Sequence, residues 1–146
     1  MPSFEPRNPD FRAVLAHYVG AQNYLSLLGV ELARVEPGEA DYRVPYRADL
    51  VQQNGFFHGG VIGGIAEAVM GAAAATLVAA GANVVGAEYK INLLAPGQGV
   101  ALLACGVVVR PGRLIVCRAD VFSLAEDGSR TLSAIAQGSM AVIAPR

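Results

Sequence analysis

His58-Gly59-Gly60-Val61-Ile62-Gly63-Gly64-Ile65-Ala66-Glu67-Ala68-Val69-Met70-Gly71-Ala72-Ala73-Ala74-Ala75-Thr76-Leu77-Val78-Ala79-Ala80-Gly81 decides the fold. No proline interrupts it. Ala72 to Ala75 are strong helix formers, and Gly81 stands where a helix C-terminus favours glycine. It reads as one long helix from about Gly60 to Ala80. Gly63, Gly64 and Gly71 weaken a helix interior, and they make sense where another backbone packs very close. The run is long enough to cross a bilayer. Glu67 and the glycines argue against that, as does the lack of flanking aromatic belts or positive clusters. A helix buried on most sides fits better.

Upstream lies the loop Arg47 to Phe57. Before it, Gly29 to Val35 and Ala40 to Tyr46 read as strands around a Pro37-Gly38 turn. Asn8 as cap and Pro9 at the first helical position open a short helix to about Val19, and Tyr24 to Leu28 extends it or forms another turn. Downstream, four strands are expected at about Asn83 to Leu94, Val100 to Arg110, Arg113 to Leu124 and Arg130 to Ile143. The turns between them are Pro96-Gly97, Pro111-Gly112 and Asp127-Gly128, a spacing that reads as an antiparallel meander. In the last strand Leu132, Ala134, Ala136, Met140 and Val142 are expected on one face, with Thr131, Ser133, Gln137 and Ser139 on the other. One helix and one antiparallel sheet give an α+β arrangement in which the sheet curls around the helix. We read residues 1–146 as one domain, with 1–27 as an N-terminal helical extension.

The 146 residues are 53% hydrophobic and 16% charged, enough apolar content for a substantial core. The formal net charge is -1 and Lys90 is the single lysine, which argues against nucleic acid or an anionic membrane as partner. The mean hydropathy of +0.42 is high for a small monomer and points to partner subunits. Cys105 and Cys117 each sit in an apolar stretch without metal-ligand spacing, so they read as buried, reduced thiols and no metal site is expected. The polar, proline-containing N-terminus lacks a signal-peptide core, and a cytoplasmic location is expected.

The chemistry concentrates in Gln52-Gln53-Asn54-Gly55-Phe56-Phe57-His58-Gly59-Gly60 and in Glu67. Free N–H groups and the positive end of the helix dipole gather at His58-Gly59-Gly60, and two glycines let an oxyanion approach the backbone. The same motif also serves as a plain turn and cap. Glu67 has Gly63, Gly64, Met70 and Gly71 three and four positions away, so no basic partner shares its face. An unpaired carboxylate in an apolar helix is costly and points to use, unless it reaches water or a distant arginine such as Arg113. Gly59 and Glu67 lie about 12 Å apart along one helix, so one substrate carbonyl does not easily touch both. Two such helices running antiparallel across a two-fold axis bring Glu67 of one chain beside Gly59 of the other.

These residues, with Glu88, Asn92, Pro96 and Gly112-Arg113, resemble the hot-dog-fold thioesterases of the PaaI (phenylacetate-pathway) type, over about Leu28 to Val142. Gln52 and Glu67 stand where that type carries asparagine and aspartate, a combination more similar to the hydroxybenzoyl-CoA thioesterase branch. Two Ser/Thr positions of the family fall on Gly71 and Gly86. The resemblance implies an antiparallel sheet around one central helix, hydrolysis of a fatty or aryl acyl-CoA, and a homodimer or dimer of dimers. Coenzyme A is then part of the substrate and no separate cofactor is needed. It implies that the Gly59 N–H polarises the thioester carbonyl and that Gln52 holds the carbonyl or water. Glu67 of the neighbouring subunit then acts as nucleophile or general base. His58 shapes the loop. Asn54, Gly60, Phe56, Phe57 and Met70 are candidates for the substrate pocket, and Arg110 and Arg113 for the coenzyme phosphates.

A serine esterase needs a G-x-S-x-G elbow, which the chain lacks. A hot-dog dehydratase or hydratase needs a catalytic His paired with an acid, and only His17 and His58 are present. A non-catalytic acyl-CoA-binding module is the remaining alternative.

Overall fold

The computed structural model describes residues 3–145. Two short helices, α1 (Phe11–Ala21) and α2 (Asn23–Leu28), precede strands β1 (Glu31–Glu36) and β2 (Glu39–Pro45). The long helix α3 (Gly59–Ala75) follows, then β3 (Asn83–Leu93), β4 (Ala101–Arg110), β5 (Leu114–Leu124) and β6 (Arg130–Ile143). All pairings are antiparallel, in the order β1-β2-β4-β5-β6-β3. The sheet wraps α3, whose Val61, Ile65, Val69, Met70 and Ala73 are buried among inward residues such as Tyr42, Val44, Ala104 and Val121. This is the hot-dog α+β fold.

Alternation drives the wrapping. In β2, Ala40, Tyr42 and Val44 are buried while their neighbours are only half-buried, the period of a sheet with one face on a core. The backbones of helix and sheet meet at Gly106 of β4. A Cβ there would stand 2.5 Å from the Val69 carbonyl oxygen. The close approach thus falls on a strand glycine. At the helix glycines the neighbours are the tips of tyrosines, Tyr89 over Gly63 and Tyr24 over Gly64, and Gly71 has nothing within 4 Å.

Four expectations change. The four downstream strands do not form a simple meander: β4, β5 and β6 do, while β3 pairs with β6 on the far edge. The Pro96-Gly97 segment is therefore a crossover, and it is tied to the loop before α3 by the Phe57 N–H donating to the Gly97 carbonyl at 2.7 Å. Helix α3 stops at Ala75 because buried Thr76 turns its hydroxyl onto the Ala73 carbonyl and accepts the Gly38 N–H, both at 2.7 Å. Helix α1 begins at Phe11, since the Asn8 side chain accepts the Asp10 N–H in a preceding turn. In β6 a register shift opposite Val121/Phe122 leaves Ser133 without a partner across the strands. Ser133 is buried against Ser123 at 2.6 Å. That bulge turns Leu132 to the outer face of the sheet, beside Ile135 and Gln137.

Cys105 is half-buried and Cys117 buried, and neither is in a disulfide. Burial pushes both thiols up to about 12, helped at Cys105 by Asp41, so both stay protonated and inert. No helix among the described residues is long and apolar enough to cross a membrane.

Candidate active site

The loop from Gln52 to His58 is built by its own backbone. The Gln52 N–H donates to the Phe56 carbonyl at 2.8 Å, and the Gly55 N–H to the Gln52 carbonyl at 3.0 Å. Gly55 takes a φ of 81°, in the left-handed region that favours glycine. The His58 N–H donates to the Leu50 carbonyl at 3.0 Å, which anchors the start of α3.

His58 is the N-cap of α3. Its Nδ1 accepts the Gly60 N–H at 2.8 Å, while the His58 carbonyl accepts from Val61 and Ile62. Of the first-turn donors, the Gly59 N–H is left without an acceptor among the described residues. The helix terminus thus offers one directed N–H from a half-buried glycine, with the dipole behind it. Gly60 is committed to the cap.

Gln52, Phe56, Phe57, Gly59, Leu93 and Pro96 line one cavity of about 370 Å³. The Asn54 N–H donates to Gln52 Oε1, so the carboxamide presents its NH₂ as a donor. Asn54 enters the site only through this contact. Phe57 is buried and packs edge-on against Tyr46, ring centroids 5.7 Å apart; Phe56 is half-buried on the cavity wall.

Glu67 opens elsewhere. It lies two turns along α3, half-buried, in a cavity of about 100 Å³ shared with Tyr18, Gln22, Tyr42, Gly71 and Gly86. Its carboxylate rests on the backbone of β3. A Cβ on Gly86 would stand 3.3 Å from the carboxyl carbon and inside van der Waals contact of Oε1. Burial alone raises its pKa.

Among the other predicted residues, Met70 is fully buried, with its Cε near Gly138 of β6, and it lines neither cavity. Arg110 and Arg113 are exposed at the β4–β5 hairpin, and Arg113 lies beside Leu77 and Val78 at the far end of α3 from Gly59. The fold therefore gathers Gln52, Gly59, Phe56 and Phe57, and holds Glu67, Met70 and the two arginines apart from them within one chain. Tyr42, which shares the Glu67 cavity, carries no signal in the sequence. It looks like any inward strand aromatic, and only the meeting of β2 with α1, α3 and β3 puts it in the cavity with Glu67.

The chain is similar to known proteins over most of its length. A thioesterase family protein from Silicibacter pomeroyi has 28% sequence identity and a TM-score of 0.88, covering 91% of this chain and 98% of that one. The Saccharolobus solfataricus protein named "Putative esterase SSO2140" is 28% identical over 132 residues, 90% of this chain and 91% of that one. The E. coli PaaI protein shares the fold, with a TM-score of 0.77 at 19% identity over 92% of this chain and 95% of that one. The thioesterase superfamily model matches residues 54–126, half of the chain, from the loop before α3 through β5. The chain belongs to the thioesterase superfamily and is a thioester hydrolase.

Proposed function

We propose that the protein hydrolyses acyl-CoA thioesters at sites built between two copies of the chain. One observation carries this reading: Gly59 and Glu67 lie at opposite ends of β3. A Cβ on Gly59 would stand 3.2 Å from Leu93, whereas Glu67 rests on Gly86. Strand β3 is an edge strand of 11 residues with Val85, Tyr89 and Leu93 exposed, a long apolar template for pairing. Antiparallel pairing of two β3 strands about a two-fold axis near Tyr89 sets the Gly86 end of one opposite the Leu93 end of the other. Glu67 of one chain then faces Gly59 of its neighbour. The other edge, β1, has six residues and carries exposed ion pairs, Arg43–Glu31 at 2.9 Å and Arg34–Glu39 at 2.5 Å, which blunt it.

In this site the Gly59 N–H and the Gln52 NH₂ donate to the thioester oxygen as it gains negative charge. Glu67 takes a proton from water as the water oxygen bonds to the carbonyl carbon. The tetrahedral intermediate then collapses, the C–S bond breaks, and the proton passes from Glu67 to the departing thiolate. Arg110 and Arg113 of the second chain are the candidates for the coenzyme A phosphates, because its α3 runs on from Glu67 about 12 Å past this Gly59, toward their hairpin. The expected compartment is the cytoplasm.

The test is release of CoA from a panel of fatty and aryl acyl-CoAs, followed with a thiol-reactive dye, for the wild type and Glu67→Gln. Glu67-dependent release supports the reading. Equal release by the variant refutes the role of Glu67, and no release from any member refutes acyl-CoA as substrate. Tyr89→Lys at the proposed interface is expected to shift the assembly towards monomer in sedimentation and to abolish turnover with it.

A further inference from the structure

We infer that Tyr42 is a positioning residue whose hydroxyl holds the water on which Glu67 acts, an inference that rests on the thioesterase reading above. Tyr42 sits on the inward face of β2, is 1% exposed, and lines the same cavity as Glu67. Its hydroxyl has no hydrogen-bond partner among the described residues, yet no sealed side-chain polar atom there lacks one. The hydroxyl is therefore not sealed in the core, and the space Tyr42 lines is the cavity it shares with Glu67. A buried hydroxyl without a partner is costly, so an inward strand position otherwise favours phenylalanine. The cavity of about 100 Å³ far exceeds the roughly 10–15 Å³ that one water needs.

The cavity's electrostatics suit the role. Its titratable members are Glu67 from α3, Tyr42 from β2 and Tyr18 from α1. Gln22 adds a neutral amide, and β3 contributes only Val84 and Gly86. Glu88 and Lys90 of β3 line the outer groove of the sheet instead. The Tyr18 hydroxyl is engaged with Asn83 Oδ1 at 2.8 Å. Tyr42 is thus the free hydroxyl, and burial pushes its pKa up to about 12, which keeps it a neutral donor. Gly71 and Gly86, both on the cavity wall, supply no hydroxyl.

Space distinguishes those two glycines. Nothing lies within 4 Å of a Cβ built on Gly71, whereas one on Gly86 runs into Glu67. Serine at 71 can therefore replace the tyrosine hydroxyl from another wall, and serine at 86 cannot. The experiment compares wild type, Tyr42→Phe, and Tyr42→Phe with Gly71→Ser, using the acyl-CoA that wild type cleaves best. Tyr42→Phe is expected to lower kcat about 10- to 100-fold, with KM nearly unchanged, the melting temperature retained, and the acid limb of the kcat profile moved to higher pH. The added Gly71→Ser is expected to restore much of kcat and return the limb. A ¹³C-carboxyl titration of Glu67 gives a readout independent of turnover, with a higher midpoint expected in Tyr42→Phe. Wild-type kcat, limb and Glu67 midpoint in Tyr42→Phe overturn the inference while leaving the thioesterase reading intact. A wild type inert toward every acyl-CoA overturns the reading itself.

Discussion

Replacing Gly86 with alanine separates the placement of the Glu67 carboxylate from the stability of the fold. The added Cβ would stand 3.3 Å from the carboxyl carbon and overlap Oε1. The carboxylate is the end of a flexible side chain, so it yields, by about 1 Å to regain ordinary contact. The strand itself has no objection. Gly86 has no positive φ, and an alanine in a strand interior is about 0.5–1 kcal/mol better than glycine. A chain of this size is thus expected to melt within about 2–4 °C of wild type, or slightly above it. Catalysis responds differently, because a 1 Å misplacement of a reacting group lowers rate about 100-fold, or about 2.7 kcal/mol in the barrier. The assay pairs steady-state CoA release with thermal unfolding. A Gly86→Ala protein with kcat within threefold of wild type would refute the reasoning, since either the carboxylate does not rest on β3 or its position does not matter.

Two further outcomes follow from the same geometry. The folded-state pKa of Glu67 is raised by burial, so the folded chain holds that proton more tightly than the unfolded chain. Its contribution to stability is favourable at low pH and is lost as pH rises from the ordinary carboxylate value through the raised one. Glu67→Gln is expected to flatten that dependence and to melt higher at neutral pH. The wild-type rate should rise through the same raised midpoint; a stability profile identical in both proteins contradicts this. At His58, alanine removes the acceptor of the Gly60 N–H and is expected to destabilise by about 1 kcal/mol. Asparagine, a good N-cap, should restore both melting temperature and turnover, whereas an inactive but fully stable His58→Asn would give His58 an acid–base role.

Local order was legible because it is encoded by neighbours in sequence. The proline-free run with Gly59-Gly60 at its head gave α3, and Pro111-Gly112 and Asp127-Gly128 gave the two true hairpins among the later strands. Pro96-Gly97 carries the same turn chemistry yet forms a crossover, because strand partners are chosen by the whole sheet and not by the turn. The end of α3 is set by Thr76 meeting Gly38, 38 residues away, and no helix propensity contains that contact. The alternation in β6 placed Leu132 inward, and one bulge at Ser133 reversed it, since a one-residue slip exchanges the two faces of a strand.

The candidate site divides the same way. By itself the sequence determined the chemistry on offer: a glycine N–H at a helix start, a glutamine in the loop before it, and an acid without a basic partner two turns on. These follow from residue type and the rise of a helix. Only the tertiary structure decided that His58 consumes the Gly60 N–H and leaves the Gly59 N–H without an acceptor among the described residues. It also put Glu67 and Tyr42 in one cavity and the Gly59 N–H in another. The physical reason is that cavities are bounded by segments distant in the chain, here α1, β2, α3 and β3, and no local pattern records which of their side chains meet.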